Sequence, residues 1–285
     1  MPIISRSDGE LVRDVPAYRR ITPFLSQKRN EANAYFELAV DLTRTLPFIE
    51  SFNSGRTNKA TLFHYMIWCV VRTADEWPRL NRFVAGKRLY QRRGIWISFS
   101  AKKSFEKSAP VVDIKMRFDP KISFPELVDS LLAEIREGRS DKKSRIDKEL
   151  AFSLRLPRSI LSVGVKALYL LDYFGLLPAS YIEGDPMYAT AFMVNLGSLD
   201  MDAVYHHLYE YGTTSIFMTI GKVKPEVCRG DDGQAKFRDS VTMRFSCDER
   251  VEDGFYCARA LNHLKSLIEN PVLSEKGNRN RPTER

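Results

Sequence analysis

The stretch from Phe245 to Leu264 constrains the fold more than any other part of this 285-residue chain. Its apolar start predicts a strand over residues 241–247, and apolar positions at helical spacing predict a helix over residues 254–269. The Asp253-Gly254 pair between them predicts a corner. A strand, a corner and a helix in direct succession indicate a domain that mixes helices and strands.

The rest of the chain mixes strand and helix patterns without a strict βαβ repeat, which favours one α/β domain with helices on one face of a mixed sheet. Alternation predicts strands at residues 34–42, 87–90, 94–100, 109–118, 188–196 and 215–223, the second paired with the third. Helical spacing predicts helices at residues 18–33, 43–53 with Thr43 as the cap, 62–73, 125–136, 146–171 with a break at Pro157, and around His206-His207. Residues 224–239 are predicted to be an exposed hairpin turn.

The composition excludes several classes of protein. Hydrophobic residues make up 44% and charged residues 28% of the chain, as in an ordinary globular protein. No run approaches the roughly 18 apolar residues of a membrane span, and the first residues do not form a secretory leader. The 4 cysteines show neither metal-ligand spacing nor a disulfide framework. We therefore expect a soluble, cytoplasmic protein with no metal site and no membrane partner.

The formal net charge of +8 raises the question of nucleic-acid binding. The basic residues are scattered and accompany no recognition motif, so we do not expect a nucleic-acid partner. The densest late cluster lies in residues 276–285, which lack an apolar pattern and are predicted to be disordered. A dispersed basic surface also suits small ligands that carry phosphate groups.

Several segments together resemble one enzyme family. They are the Arg19-Arg20 pair before the first strand, Trp77-Pro-Arg-Leu-Asn81, Asn195-Leu-Gly-Ser198, Gly221-Lys222, and the stretch from Asp253-Gly254 to Pro271. These segments are similar to the coenzyme A-dependent acyltransferases of the chloramphenicol acetyltransferase-like superfamily, above all to the acyltransferase catalytic core of 2-oxoacid dehydrogenase complexes. The resemblance implies a two-layer α/β sandwich in which helices cover a mixed β-sheet.

The resemblance also implies how the chain is divided. Residues 16–273 are expected to form the acyltransferase-like core, residues 1–15 a flexible N-terminal segment, and residues 274–285 a disordered basic tail. Because the similarity starts almost at the first residue, we expect neither a lipoyl domain nor a covalent lipoyl group on this chain. Members of the family are homotrimers, some of which build larger shells, and we expect a homotrimer here.

In this family the signature His-x-x-x-Asp-Gly supplies the general base, and the active site lies between two subunits. The histidine takes a proton from a thiol or hydroxyl, which then attacks the thioester of acyl-coenzyme A. The present chain keeps the Asp-Gly pair but has Glu249 in the position of the histidine. The resemblance therefore implies Glu249 as the base, Asp253 beside Gly254 as a structural carboxylate, and Arg19 as the partner of Asp253.

The family also places a hydroxyl group of the neighbouring chain beside the oxyanion of the reaction. Ser198, in the segment that begins at Asn195, is the nearest candidate for that hydroxyl, with Thr213 and Thr214 behind it. The loop before the next strand departs from the family pattern, so the choice of hydroxyl stays open.

A glutamate is a weaker base than a histidine. The ordinary pKa is about 4.3 for Glu and about 6.5 for His, so Glu249 needs burial or a nearby carboxylate to work near neutral pH. In a second arrangement, Glu249 of one chain orients His206 or His207 of its neighbour, which rebuilds a base from other positions. In the alternative, one of these histidines faces solvent and the other packs in a helix.

Two functions of different kinds remain. The first is a coenzyme A-dependent acyltransferase with a small-molecule acyl donor and acceptor and an altered base. The second is a catalytically inactive trimeric scaffold or ligand-binding module that retains the fold. The missing histidine favours the scaffold, whereas the retained polar residues around Asp253 and Asn195 lead us to favour the enzyme.

Overall fold

A computed structural model describes residues 6–102, 111–139, 155–230 and 233–271 of the chain. Its helices are α1 (Ala17–Leu25), α2 (Thr45–Asn53), α3 (Leu62–Glu76), α4 (Phe124–Arg139), α5 (Arg158–Phe174), α6 (Ala179–Gly184) and α7 (Gly254–Glu269). Its strands are β1 (Gly9–Leu11), β2 (Asn33–Asp41), β3 (Arg82–Ala85), β4 (Arg88–Arg92), β5 (Ile95–Lys102), β6 (Val111–Phe118), β7 (Ala191–Asn195), β8 (Ile216–Arg229) and β9 (Ala235–Asp248).

The strands form one large mixed sheet and one small antiparallel sheet. The large sheet has 6 strands in the order β2-β9-β8-β7-β5-β6, and the small one has 3 in the order β1-β4-β3. In the large sheet β5, β7 and β8 run parallel, and the other neighbours are antiparallel. A mixed sheet covered by helices is the architecture that the sequence predicted.

The main core lies between the large sheet and its helices. Helix α3 is buried along most of its length, as its nearly all-apolar sequence predicted, and packs with α4 and α7 over β5, β8 and β9. Its first turn is closed by a reciprocal cap, in which His64 N–H donates to Thr61 Oγ1 and Thr61 N–H donates to His64 Nδ1.

Strands β4 and β5 are adjacent in sequence but belong to different sheets, so their predicted pairing is wrong. Gly94 lies between them with φ of 78°, a conformation that glycine adopts readily. Asn81 Nδ2 donates to Gly94 O and fixes the turn. The chain therefore leaves the small sheet at this turn, and β5 pairs with β6 and β7 instead.

The segment around His206-His207 is irregular, so the predicted helix is wrong there. Three of its backbone carbonyls accept hydrogen bonds from side chains of the sheet. Arg244 donates to Ala203 O, Thr219 to Val204 O, and Ser246 to His206 O. These bonds hold residues 203–206 extended across β8 and β9.

Several predicted boundaries shift. Helix α1 ends at Leu25 instead of residue 33, and α2 begins at Thr45 without a side-chain cap from Thr43. Strands β8 and β9 continue through most of residues 224–239, where cross-strand pairs such as Val227 with Phe237 extend the hairpin. Residues 146–154 and the tail from residue 274 lie outside the described residues.

Part of the N-terminal segment that was expected to be flexible packs on the domain. Residues 9–11 form β1, and Arg6 is buried. The Arg6 guanidinium pairs with Asp8 at 2.9 Å and with Asp172 at 2.8 Å. The ion pair with Asp172 and the pairing of β1 with β4 therefore hold residues 6–11 in place.

Helix α5 is the opposite of α3, since none of its residues is buried in the protomer. The exposed apolar side chains on this helix and just after it include Ile160, Val163, Leu170, Leu171, Phe174 and Leu176. It ends at Gly175, whose φ of 70° gives a left-handed cap. In the described parts of the chain, no helix combines the length and the apolar character needed to cross a bilayer.

Candidate active site

Glu249 lies in the turn that leaves the C-terminal end of β9. Its backbone N–H donates to Ala32 O at 2.8 Å, and its backbone carbonyl accepts from Arg19 Nη1 at 2.9 Å. The carboxylate is exposed in the single protomer and has no hydrogen bond or ion pair with any described residue. The turn is thus fixed by its backbone, whereas the side chain is free.

Arg19 is the centre of the contacts that hold this turn. It is buried, and its Nη2 atom donates to Glu252 Oε1 at 3.0 Å and to Asp253 Oδ2 at 3.2 Å. Glu252 is buried as well and also pairs with Arg82 at 3.3 Å. Burial lowers the pKa of the Arg82 guanidinium, although the adjacent Glu252 carboxylate opposes this shift.

Asp253 has a second contact, because it caps α7. Its Oδ1 atom accepts from Tyr256 N–H at 2.8 Å, while its Oδ2 atom accepts from Arg19. The structure therefore brings together Arg19 and Asp253, which the resemblance paired. Gly254 follows as the first residue of α7, and a Cβ there would meet no atom within 4 Å.

The acidic residues around Glu249 are each neutralised by arginine. Asp248 is buried and accepts two hydrogen bonds from Arg250, at 2.8 and 2.7 Å. Arg29 lies 3.5 Å from the same carboxylate, and burial lowers the pKa of the Arg29 guanidinium. Asp248 therefore does not leave an unpaired charge beside Glu249.

His206 and His207 lie at the same end of the sheet as Glu249. Ser246, three residues before Glu249, donates to His206 O. The His206 ring is half-buried and stacks on Phe217 at 4.0 Å and on His207 at 4.5 Å, and burial lowers its pKa. Within the described protomer, no hydrogen bond joins either imidazole to Glu249.

Ser198 and Asn195 lie at the other end of the sheet. Asn195 ends β7 and is paired with Ile220 of β8, whereas Cys247 near the end of β9 is paired with Ile216. The four residue-to-residue steps from Ile216 to Ile220 span about 13 Å of strand. Ser198, just after β7, therefore lies beside the middle of β8, well along the strand from the end where Glu249 follows β9.

The Ser198 side chain is exposed and locally bonded. Its Oγ atom donates to Asn195 O at 2.8 Å, and its backbone N–H donates to Asn195 Oδ1 at 3.3 Å. The alternatives Thr213 and Thr214 are buried near the start of β8. Thr213 Oγ1 accepts from Arg92 at 3.0 Å, and Thr214 Oγ1 donates to Met187 O at 2.8 Å. Of these three residues, Ser198 lines a crevice.

That crevice has a volume of about 400 Å³ and lies between the start of α3, the end of β7 and the middle of β8. Its lining combines apolar side chains with a polar mouth: Leu62, Phe63, Met66, Ile220 and Val223, and Asn195, Ser198, Asp200 and Lys222. Gly197 and Gly221 complete it, because the loop after β7 crosses β8 closely at these two positions.

Two groups of residues at this site were not found by sequence reasoning. The first is Glu252 with Arg82, whose pairing depends on the small sheet lying beside α1. The second is the apolar wall of the crevice, which looked like ordinary core in the pattern of α3. The one sequence signal near Arg82 was the Pro-Arg-Leu-Asn segment before it, which is among the segments that resemble the family.

A comparison with known proteins finds one family profile that covers both the Ser198 segment and the Glu249 segment. Residues 187–274, which contain both Ser198 and Glu249, match the sequence profile of the 2-oxoacid dehydrogenases acyltransferase (catalytic domain). The chain is also 22% identical over 247 residues to the lipoamide acyltransferase component of the branched-chain alpha-keto acid dehydrogenase complex of Bacillus subtilis (strain 168). That match covers 84% of this chain and 47% of the relative, so the chain spans about half its length.

Solved structures match over nearly the whole chain. A probable dihydrolipoamide acetyltransferase from Listeria monocytogenes 4b F2365 superposes with a TM-score of 0.61 at 15% identity, covering 92% of this chain and 99% of that one. The dihydrolipoamide acetyltransferase of Azotobacter vinelandii, studied for the catalytic roles of a serine, a histidine and an asparagine, gives 0.60 at 15% identity, covering 95% and 98%. A chloramphenicol acetyltransferase gives 0.55 at 10% identity, covering 91% and 99%.

At these identities, the structural matches establish the architecture, and the profile match identifies the segment that carries the candidate site. The protein therefore has the chloramphenicol acetyltransferase-like fold, and its C-terminal part matches the acyltransferase catalytic domain of 2-oxoacid dehydrogenase complexes.

Proposed function

We propose that the protein is a coenzyme A-dependent acyltransferase whose active site is assembled between protomers of a homotrimer. The observation that carries the proposal is the turn at the end of β9. Buried Arg19 holds the Glu249 carbonyl, Glu252 and Asp253 together, so that the exposed Glu249 side chain projects from a fixed, largely buried turn. Burying charged groups is costly, and orienting a reactive residue is one use for such a network.

In the proposed reaction, the Glu249 carboxylate accepts a proton from the thiol or hydroxyl of the acceptor. The deprotonated acceptor attacks the thioester carbonyl, and Ser198 of another protomer donates a hydrogen bond to the oxyanion. The tetrahedral intermediate then collapses, the C–S bond breaks, and coenzyme A leaves as a thiolate that takes the proton back. Asp253 and Arg19 position Glu249 through the turn and do not touch the substrates.

The need for a second protomer follows from the strand register. The register places the Ser198 segment beside the middle of β8, about 13 Å along the strand from the Glu249 end, which supports a site that takes Glu249 from one protomer and Ser198 from another. The relative from Bacillus subtilis is named for acyl transfer to lipoamide. Dihydrolipoamide is therefore the first acceptor to test, and its thiol is more acidic than an alcohol, which suits a weak base.

A base built from Glu249 and a histidine remains a variant of this proposal. His206 and His207 lie at the Glu249 end, and the pKa of His206 is lowered by burial, which keeps that imidazole neutral near pH 7. A neutral imidazole is the form that accepts a proton. The variants His206→Gln and His207→Gln would remove this base and leave the fold of the turn intact.

One observation favours a non-catalytic trimer as the second candidate. General bases are usually oriented by a third group, whereas the Glu249 carboxylate has no bonded partner among the described residues of one protomer. In that case the crevice and the exposed turn would bind a ligand without transforming it.

The experiment compares the wild-type protein with Glu249→Gln, Glu249→His and the control Glu183→Gln, which removes an exposed carboxylate far along the chain on α6. Each protein is incubated with acetyl-, butanoyl- and 3-methylbutanoyl-CoA and dihydrolipoamide, and products are separated by chromatography. General base catalysis contributes about 100-fold or more. We therefore expect E249Q to lose at least that factor in kcat and E183Q to match wild type.

The E249H variant tests whether the rest of the site is intact. We expect it to retain or exceed wild-type turnover, with a rate that rises through about pH 6.5, the ordinary pKa of histidine. Absence of coenzyme A release from both wild type and E249H, with every donor, would reject the acyltransferase. A rise in Tm on adding acyl-CoA without turnover would then support the ligand-binding trimer.

A further inference from the structure

We propose that the crevice beside Ser198 holds the acyl chain of the thioester, and that the preferred acyl group is a neutral chain longer than acetyl. This inference rests on the proposed function, because it assigns the substrate class of the same site. The assignment stands on the shape, lining and position of the crevice, each of which limits what fits there.

The lining of the crevice is apolar where the chain would end. Leu62, Phe63 and Met66 come from α3, and Ile220 and Val223 come from β8. Met66 and Ile220 belong to the main core and are almost fully buried, so this wall is fixed by the packing of the domain. A fixed apolar wall with a few polar groups at its mouth is the usual form of a small-molecule site.

The crevice also lies where ligands bind in open α/β sheets. It is found at the carboxyl end of β7, next to its parallel neighbour β8 and the first turn of α3. Asn195 and Ser198 stand at its mouth, and Ser198 is the proposed donor to the thioester oxyanion. An acyl chain that starts at that carbonyl would therefore enter the apolar part directly.

The apolar end of the crevice disfavours a charged acyl group. Lys222 is the cation of the lining, and it already pairs with Asp200 at 3.2 Å. The deeper lining offers no ionised partner, and an unpaired charge is costly to bury against apolar side chains. A chain ending in a carboxylate, such as succinyl, should therefore bind worse than a neutral chain of the same length.

The size of the preference follows from the burial of methylene groups. Each buried CH₂ group gives about fourfold in affinity, the factor that corresponds to the usual transfer free energy. We therefore expect kcat/KM to rise about fourfold per added carbon from acetyl to butanoyl, and to fall again for succinyl.

Val223 offers a test that leaves the core intact, because it lines the crevice and is still 42% exposed. We expect Val223→Trp to fill the crevice and abolish the preference for butanoyl over acetyl. Val227→Trp is the matched control, since Val227 lies on the same strand, is exposed and does not line the crevice. It should keep the wild-type preference.

Measurements of binding test the acyl pocket separately from the proposed catalytic activity. The affinities of acetyl-, butanoyl- and succinyl-CoA are measured by calorimetry for wild type, V223W and V227W, whether or not turnover occurs. A butanoyl preference that V223W removes and V227W keeps supports the crevice as the acyl pocket, even if turnover fails with every donor. Equal affinities in wild type, or a preference that V223W retains, would overturn it.

Discussion

The two ends of the large sheet are built in different ways. At the Glu249 end, residues far apart in sequence meet through charge, as Arg19 pairs with Glu252 and Asp253. At the Ser198 end, the backbone itself makes the close contacts, since a Cβ on Gly197 would lie 2.5 Å from Gly221 O. At the Glu249 end, a single substitution can leave a buried charge without its partner. At the Ser198 end, the close backbone contact requires residues without a side chain.

Removing Arg19 should have the largest effect at the charged end. Arg19→Ala leaves Glu252 and Asp253 with fewer partners, and breaking a buried ion pair in this way costs about 3–5 kcal/mol. The free energy of unfolding from urea titration measures this cost. Arg20→Ala removes the adjacent, exposed arginine and should change stability by less than about 0.5 kcal/mol. Similar values for the two variants would contradict a special role for Arg19.

At the Ser198 end, acid should destabilise the fold by protonating His64. Burial lowers the pKa of His64 to about 4, and its Nδ1 atom accepts the Thr61 N–H at the start of α3. The folded-state pKa lies below the unfolded value of about 6.5, so the unfolded state binds the proton first. The free energy of unfolding should therefore fall as the pH drops from about 6.5 to 4, by up to about 3 kcal/mol.

His64→Gln sharpens this test, because glutamine also closes a capping box but does not titrate. We expect the free energy of unfolding of H64Q to change less with pH between about pH 4 and pH 6.5, where 6.5 is the pKa of histidine in the unfolded state. Parallel curves for the wild type and H64Q would place the acid sensitivity elsewhere. Urea titrations at a series of pH values give both curves.

Alanine substitutions at two glycines should have the smallest effects on stability, and one of them also tests for a role in function. Gly197→Ala should cost about 1–3 kcal/mol, since the added methyl overlaps backbone that does not move freely. Gly254→Ala adds a methyl to open space at the start of α7 and should leave stability unchanged or raise it by up to about 1 kcal/mol. A loss of turnover in G254A without a loss of Tm would show that a ligand or partner approaches this position.

Local patterns predicted more of the fold than of the site. Helix α7 was predicted with its observed bounds, and the alternation in residues 34–42 predicted β2, because both signals lie within one element. The helix around His206 failed because side chains of β8 and β9 bind its carbonyls, which no local pattern records.

The site divides in the same way. The Asp253-Gly254 corner is a local motif, and the structure has it where the sequence indicated it. The partner Glu252 is buried only because Arg82 of the small sheet and Arg19 of α1 both reach it, and such a meeting of three segments has no sequence signature. The crevice wall was likewise invisible, since Met66 follows the same apolar pattern as the rest of α3.

The strand register that separates Ser198 from Glu249 has a genetic consequence if the site is shared between protomers. An allele that has lost the serine and an allele that has lost the glutamate each encode a defective homomer. In a cell expressing both, some junctions of the mixed assemblies combine an intact serine with an intact glutamate. Two recessive lesions in one gene could then complement each other, which a catalyst confined to one polypeptide does not allow.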